Sequence, residues 1–162
     1  MPHAHRKRVR GHGMMNHNLN TDVKISRVMD AVAAGTTDQN GTGVDMKGYD
    51  GVMFIASFGE LTTSQVTSIH AEQGTDNSAD WQDLESTSVG PMADDDDNQL
   101  LVLDIYRPTD RYVRPVVDRG TANAVIDGIV ALRYHAQSKP TTHDASTVSA
   151  SEVHDSPAEG TK

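Results

Sequence analysis

The chain has 162 residues, 36% of them apolar and 4% aromatic, with no cysteine and a net charge of −9. Such a composition fits one domain with a modest core and segments that lie outside it. It excludes disulfides, cysteine-based zinc and iron–sulfur sites and a cysteine nucleophile, and no apolar run nears the ~18 residues of a membrane-spanning helix.

From the N-terminus, "MPHAHRKRVRGHGMMNHNLN" (1–20) has no periodicity and reads as an arm that orders on a partner. A basic start with no apolar stretch behind it does not read as a secretory leader. The arm carries +4, from Arg6, Lys7, Arg8 and Arg10, whereas residues 21–139 carry −10 and residues 140–162 carry −3. A basic arm on an acidic body is expected to dock on something acidic, such as a neighbouring copy or another protein. The acidic body argues against nucleic acid as the main partner.

Residues 22–29 alternate and predict a strand. A short helix over "SRVMDAVAAG", capped by Ser26 and ended by Gly35, is the alternative. "GTTDQNGTG" (35–43) is turn chemistry, and Gly48 and Gly51 flank a tight turn. "VMFIASFG" (52–59) is apolar on both faces. That predicts a central strand covered on both sides, or one face on the core and the other at a subunit contact. "SQVTSIHAEQ" (64–73) alternates, with Thr67, Ile69 and Ala71 on one face. "WQDLES" reads as a short return strand and "MADDDDNQ" (92–99) as an acidic loop. "LLVLDIYR" (100–107) puts Leu101, Leu103 and Ile105 on one face. "YVRPVVDR" (112–119) alternates around Pro115, which implies an edge position or a bulge. "VIDGIVALRYHA" (125–136) sets Ile126, Val130, Leu132 and Tyr134 against Asp127, Arg133 and His135. Residues 137–162 read as an extended tail. About eight strands with regular turn signals predict an all-β, jelly-roll-like antiparallel sandwich over 21–136.

Asp76, Ser78 and Asp80 imitate the start of a calcium loop. The glycine and glutamate that an EF-hand needs are Trp81 and Thr87 instead, so the stretch predicts a hairpin tip with Trp81 as an anchor. Asp94, Asp95, Asp96 and Asp97 repel one another; a solvated loop or a dock for a basic arm suits them better than a metal. His3 and His5 lack a second ligand pair of recognised spacing. His70 and His135 read as satisfied surface or interface residues. No nucleophile elbow, phosphate loop, dinucleotide fingerprint or HExxH occurs, so no enzyme is expected.

Four stretches, "VDMKGYDGVMFIASFGELTTSQV", "IHAEQGTDNSADWQDL", "LLVLDIYRPTDRYVRPVV" and "VIDGIVALRYHA", together resemble small virion proteins of tailed bacteriophages, above all the head decoration (cement) proteins. The resemblance covers roughly 40–136. It implies a non-catalytic protein without cofactor or metal, made in the host cytoplasm. Such proteins sit on the outer capsid surface, often as homotrimers, and clamp neighbouring copies of the major capsid protein. No membrane and no specific nucleic acid enter that picture. Two other readings stay open: a carbohydrate-binding or host-adhesion module using Trp81 with Asp80 and Asp83, and a head–tail connector or tail protein.

Overall fold

The structure, a computed structural model, describes residues 18–154 and 158–160. The described residues form a short helix, α1 (Leu19–Asp22), and ten strands: β1 (Lys24–Met29), β2 (Val32–Gly35), β3 (Gln39–Asn40), β4 (Val44–Asp45), β5 (Gly51–Leu61), β6 (Ser68–Gly74), β7 (Gln82–Asp83), β8 (Leu100–Tyr106), β9 (Tyr112–Asp118) and β10 (Ala124–Tyr134). They build two antiparallel sheets packed as a sandwich. Sheet A runs β1-β10-β5-β8, with β2 also on β10; sheet B runs β3-β9-β6-β7, with β4 also on β9.

β1 and β2 pair with successive stretches of β10, from Lys24↔Arg133 to Gly35↔Ala124. β3 and β4 do the same on β9, from Gln39↔Val117 to Asp45↔Tyr112. Joining each pair turns ten strands into eight continuous runs. In chain order the sheets then read 1-8-3-6 and 2-7-4-5, the strand order of a jelly roll. The expected strand over 22–29 is β1, and "DAVAAG" continues it as β2 instead of forming a helix. Val32 and Gly35 pair with Ile126 and Ala124 of β10, and this ladder outweighs the helical preference of Ala31, Ala33 and Ala34.

The core lies between the sheets. Val52, Phe54, Ala56 and Phe58 of β5 are fully buried, as are Ile126, Ile129 and Ala131 of β10, against Ile69, Ala71, Val113 and Val117 of sheet B. Three sequence-based expectations change here. β9 is an inner strand, not an edge; Pro115 lies where the β3–β4 run is interrupted, and its carbonyl accepts from Gly41 N at 2.8 Å. The β10 alternation breaks at Gly128, whose φ of +140° suits glycine alone and where the register with β5 shifts. Ile126 therefore faces the core while Val130, Leu132 and Tyr134 face out, and Arg133 turns inward, only 6% exposed. The third change concerns the arm boundary. Residues 18–20 belong to the body: the Asn18 side chain caps α1 by accepting from Asn20 N at 3.1 Å.

The tail carries no helix or strand among its described residues, yet its start is fastened. Thr141 N donates to Thr21 O at 2.8 Å and Thr141 Oγ1 donates to Val23 O at 2.6 Å. His143 Nδ1 accepts from Ile25 N at 3.2 Å, which leaves Nε2 as the protonated nitrogen, 2.6 Å from Asn20 Oδ1.

Two buried arginines tie the sheets at opposite ends of β10. Arg119 donates from Nε to Thr37 O (2.8 Å) and from Nη1 to Ala33 O (3.1 Å) and Ala124 O (2.9 Å). Arg133 donates from Nη1 to Asp45 O (2.9 Å) and from Nη2 to Ser26 Oγ (2.8 Å). Burial presses both guanidinium pKa values down. Arg119→Met keeps the apolar stem, removes three bonds from a charged donor and strands the buried Ala124 carbonyl. We expect it to lower unfolding free energy by about 2–4 kcal/mol in urea titrations, since bonds to charged donors and unmet buried acceptors are each worth ~1–3 kcal/mol.

Candidate functional site

An antiparallel sheet that packs on one side carries polar side chains on the other. Sheet A does not. Its outer face holds a row Ile25–Leu132–Met53–Asp104 and a second row Arg27–Val130–Ile55–Val102, read from directly opposed residues. Leu100, Val102 and Val130 are 55%, 45% and 36% exposed. Leu19, 63% exposed, extends the apolar surface over the buried Val23. With Met53, Asp104, Leu132 and Tyr134 they line a shallow hollow of about 310 Å³. β8 borders this face as the edge strand of sheet A.

One end of the face is aromatic. Gly51 of β5 stands between Tyr134 and Tyr106 on the neighbouring strands. A Cβ at Gly51 would collide with the Tyr134 ring, so glycine is what lets the two rings approach. They stack at 6.5 Å with planes 3° apart, and His135 meets both edge-on, at 6.1 and 5.1 Å. Arg107 lies 5.1 Å over the Tyr106 ring. The Tyr134 hydroxyl donates to Asp104 Oδ1 at 2.7 Å. Burial, then the Asp104 carboxylate, push the Tyr134 pKa far above the ordinary phenol value.

Trp81 is half-buried. Its ring packs on Gly43 and Gly74, and the Arg114 guanidinium covers it at 4.5 Å. The tip before it is held by Asp76, whose Oδ1 accepts from Ser78 N (2.8 Å), Ser78 Oγ (3.0 Å) and Ala79 N (2.8 Å). These bonds hold the Asp76 carboxyl below its usual range. Asp83 leaves the tip and stands opposite Glu72 on β6. The return strand is thus much shorter than "WQDLES", only Gln82–Asp83.

The aspartate run has local tasks. Asp94 Oδ1 accepts from Ser64 N (2.8 Å), Asp96 Oδ2 from Ala93 N (2.8 Å) and Asp97 Oδ1 from Leu61 N (2.7 Å). The run binds its own loop to the turn after β5, while Asp95 is exposed. Arg6, Lys7, Arg8 and Arg10 lie outside the described residues, as do His3 and His5. The structure gathers neither Trp81 with Asp94–Asp97 nor either of them with the sheet A face. Sequence reasoning missed the aromatic end of that face; its signal was a glycine at the start of β5 and tyrosines at the ends of two other strands.

No protein-family model matches the chain, and a search of the curated proteins returns no match.

The Tyr134 geometry gives a pH test. The protonated phenol is the form the fold favours, so its contribution is present below the ordinary phenol pKa of about 10 and is lost as pH rises beyond it. Asp104→Asn removes the carboxylate charge. The Tyr134 tyrosinate signal, isolated by difference from Tyr134→Phe, is expected at lower pH in that variant than in the wild type.

Proposed function

We propose that the chain is a non-catalytic assembly protein that uses the outer face of sheet A to join copies of itself, and its basic arm to hold a larger shell. The apolar outer face of sheet A carries this reading. An extended apolar face on a small sandwich is the signature of an interface. The resemblance to phage head decoration proteins supplies the setting: a capsid outer surface, the major capsid protein as partner and a trimer as the assembly unit. Arg6, Lys7, Arg8 and Arg10 would meet acidic surface on a neighbour.

Ile55 and Val102 sit opposite each other at the middle of the face. Ile55→Glu and Val102→Glu, made singly, are expected to turn an oligomer into a folded monomer, read by sedimentation with circular dichroism as the folding control. A wild-type chain that sediments as a monomer throughout the micromolar range overturns the self-association. A ring of six-fold or twelve-fold symmetry in place of a trimer would move the protein to the head–tail junction.

Deleting residues 2–17 spares Asn18 and hence the α1 cap. That variant is expected to keep its oligomeric state and to lose occupancy on capsids; unchanged occupancy sinks the role of the arm.

One observation favours a second reading. The Tyr106–Tyr134 pair, with Asp104 beside it, combines exposed aromatic surface and a carboxylate, a combination that suits a sugar ring. Trp81 is less suited, because Arg114 already covers its ring. A glycan array comparing the wild type with Tyr106→Ala separates this reading from assembly.

A further inference from the structure

The outer face of sheet B is built from charge. Ser68, His70 and Glu72 point outward from β6, because Ile69 and Ala71 between them are fully buried. β7 sets Asp83 opposite Glu72. β9 sets Arg114 opposite Glu72 and Asp118 opposite Ser68.

The imidazole of His70 lies between two carboxylates. Its Nδ1 is 2.7 Å from Asp118 Oδ2, and its Nε2 is 3.4 Å from Asp83 Oδ1. A carboxylate only accepts, so Nδ1 carries the proton. In the neutral ring the Nε2 lone pair then confronts a carboxylate oxygen. Two electron pairs face each other there stably only with something positive between them. Ligand atoms of His70, Glu72 and Asp83 lie within 4.8 Å of one another. Two ligands ~2.0–2.1 Å from a tetrahedral zinc ion stand about 3.4 Å apart, which matches the His70–Asp83 separation.

We propose that His70, Glu72 and Asp83 bind a divalent cation of the zinc class, with Asp118 as the positioning carboxylate and water completing the shell. Three features beyond distance support it. A histidine whose second nitrogen is held by a carboxylate is the usual arrangement of a metal-ligating imidazole. The charges match: Glu72, Asp83 and Asp118 against Arg114 leave an excess of two negative charges, which a divalent ion neutralises. The donor set of one imidazole and two carboxylates suits zinc or a neighbouring transition metal better than calcium or magnesium, which take oxygen ligands. Arg114 Nε bonds Glu72 Oε2 at 2.5 Å and leaves the other Glu72 oxygen for the metal.

The ion would brace a weak edge. β7 pairs with β6 through only Glu72↔Asp83 and Gln73↔Gln82. A metal bridging His70 and Glu72 to Asp83 would pin that edge strand and, through it, Trp81.

The experiment is zinc titration of the full chain, stripped with chelator, by calorimetry and thermal melting. To remove competing imidazoles, His3, His5, His12 and His17 are changed to Gln in the reference protein. That protein is expected to bind one equivalent at neutral pH and to melt at higher temperature with zinc than without it. His70→Gln is expected to lose both the equivalent and the shift, and Asp118→Asn to bind about ten- to a hundredfold more weakly. Asp83→Asn, at an exposed position, is expected to lose the equivalent too and serves if His70→Gln does not fold. No binding tighter than millimolar in the reference protein overturns the proposal. Unchanged stoichiometry and melting shift in Asp83→Asn overturn it as well.

Discussion

A strand that is apolar on both faces needs cover on both. β5 receives cover on one. Val52, Phe54, Ala56 and Phe58 face sheet B and are sealed from water, while Met53 and Ile55 open onto the outer face of sheet A. The neighbouring strands extend this exposure. Val130 and Leu132 of β10 and Val102 of β8 fall in the same rows, because pairing partners in an antiparallel sheet share a face. Apolar surface left in water forgoes about 25 cal/mol per Å², so covering the face would stabilise the folded chain. The proposed assembly follows from that imbalance.

The alternation that defines the sandwich could be read from the residues. Thr67, Ile69 and Ala71 were expected on one face and are all fully buried. The double apolar character of "VMFIASFG" predicts cover on both faces or a subunit contact on one; in the structure one face of β5 is sealed and the other is half-exposed. Alternation fails where one residue is inserted. Gly128 bulges β10, so side chains before and after it swap faces, and no local pattern distinguishes that glycine from an ordinary one. The same bulge hid Arg133, which turns inward to bond a carbonyl of β4. Arg119 was equally hidden: its partners Ala33 and Thr37 lie far back in the chain, and their carbonyls have no sequence signature.

The candidate sites were legible unevenly. Trp81 was expected as an anchor at a hairpin tip; the structure adds the cation over its ring and the two glycines beneath it. The aspartate run read as a solvated loop or a dock for a basic arm; in the structure Asp96 accepts a backbone bond within its own loop, and Asp94 and Asp97 accept backbone bonds from the end of β5 and the turn after it. The first kind of bond is ordinary turn chemistry, and the other two depend on a segment 30 to 36 residues earlier that a run of like residues does not reveal. The tail looked like free chain, but Thr141 and His143 fasten it across α1 and the start of β1. Leu19, which extends the apolar face, and the buried Val23 belong to the segment that those bonds hold. The tail therefore shapes one border of the face without contributing a strand.

The two outer surfaces of the sandwich differ in kind, and the difference bears on orientation. Sheet A presents Ile25, Leu132, Met53, Val130, Ile55 and Val102, with Arg27 and Asp104 confined to the ends of the rows. Sheet B presents His70, Glu72, Asp83, Arg114 and Asp118. Burying the second set against a partner would strip water from five ionisable groups, a desolvation that ion pairs seldom repay. Burying the first set is favourable from the outset. Under the proposed self-association, a copy would therefore bury sheet A against its neighbour and leave sheet B in solvent. Sheet B is also where the weakest edge lies, since β7 has two residues and the tip before it relies on Asp76 and Trp81. Anything that holds Asp83 to His70 strengthens the side of the molecule that the assembly leaves uncovered.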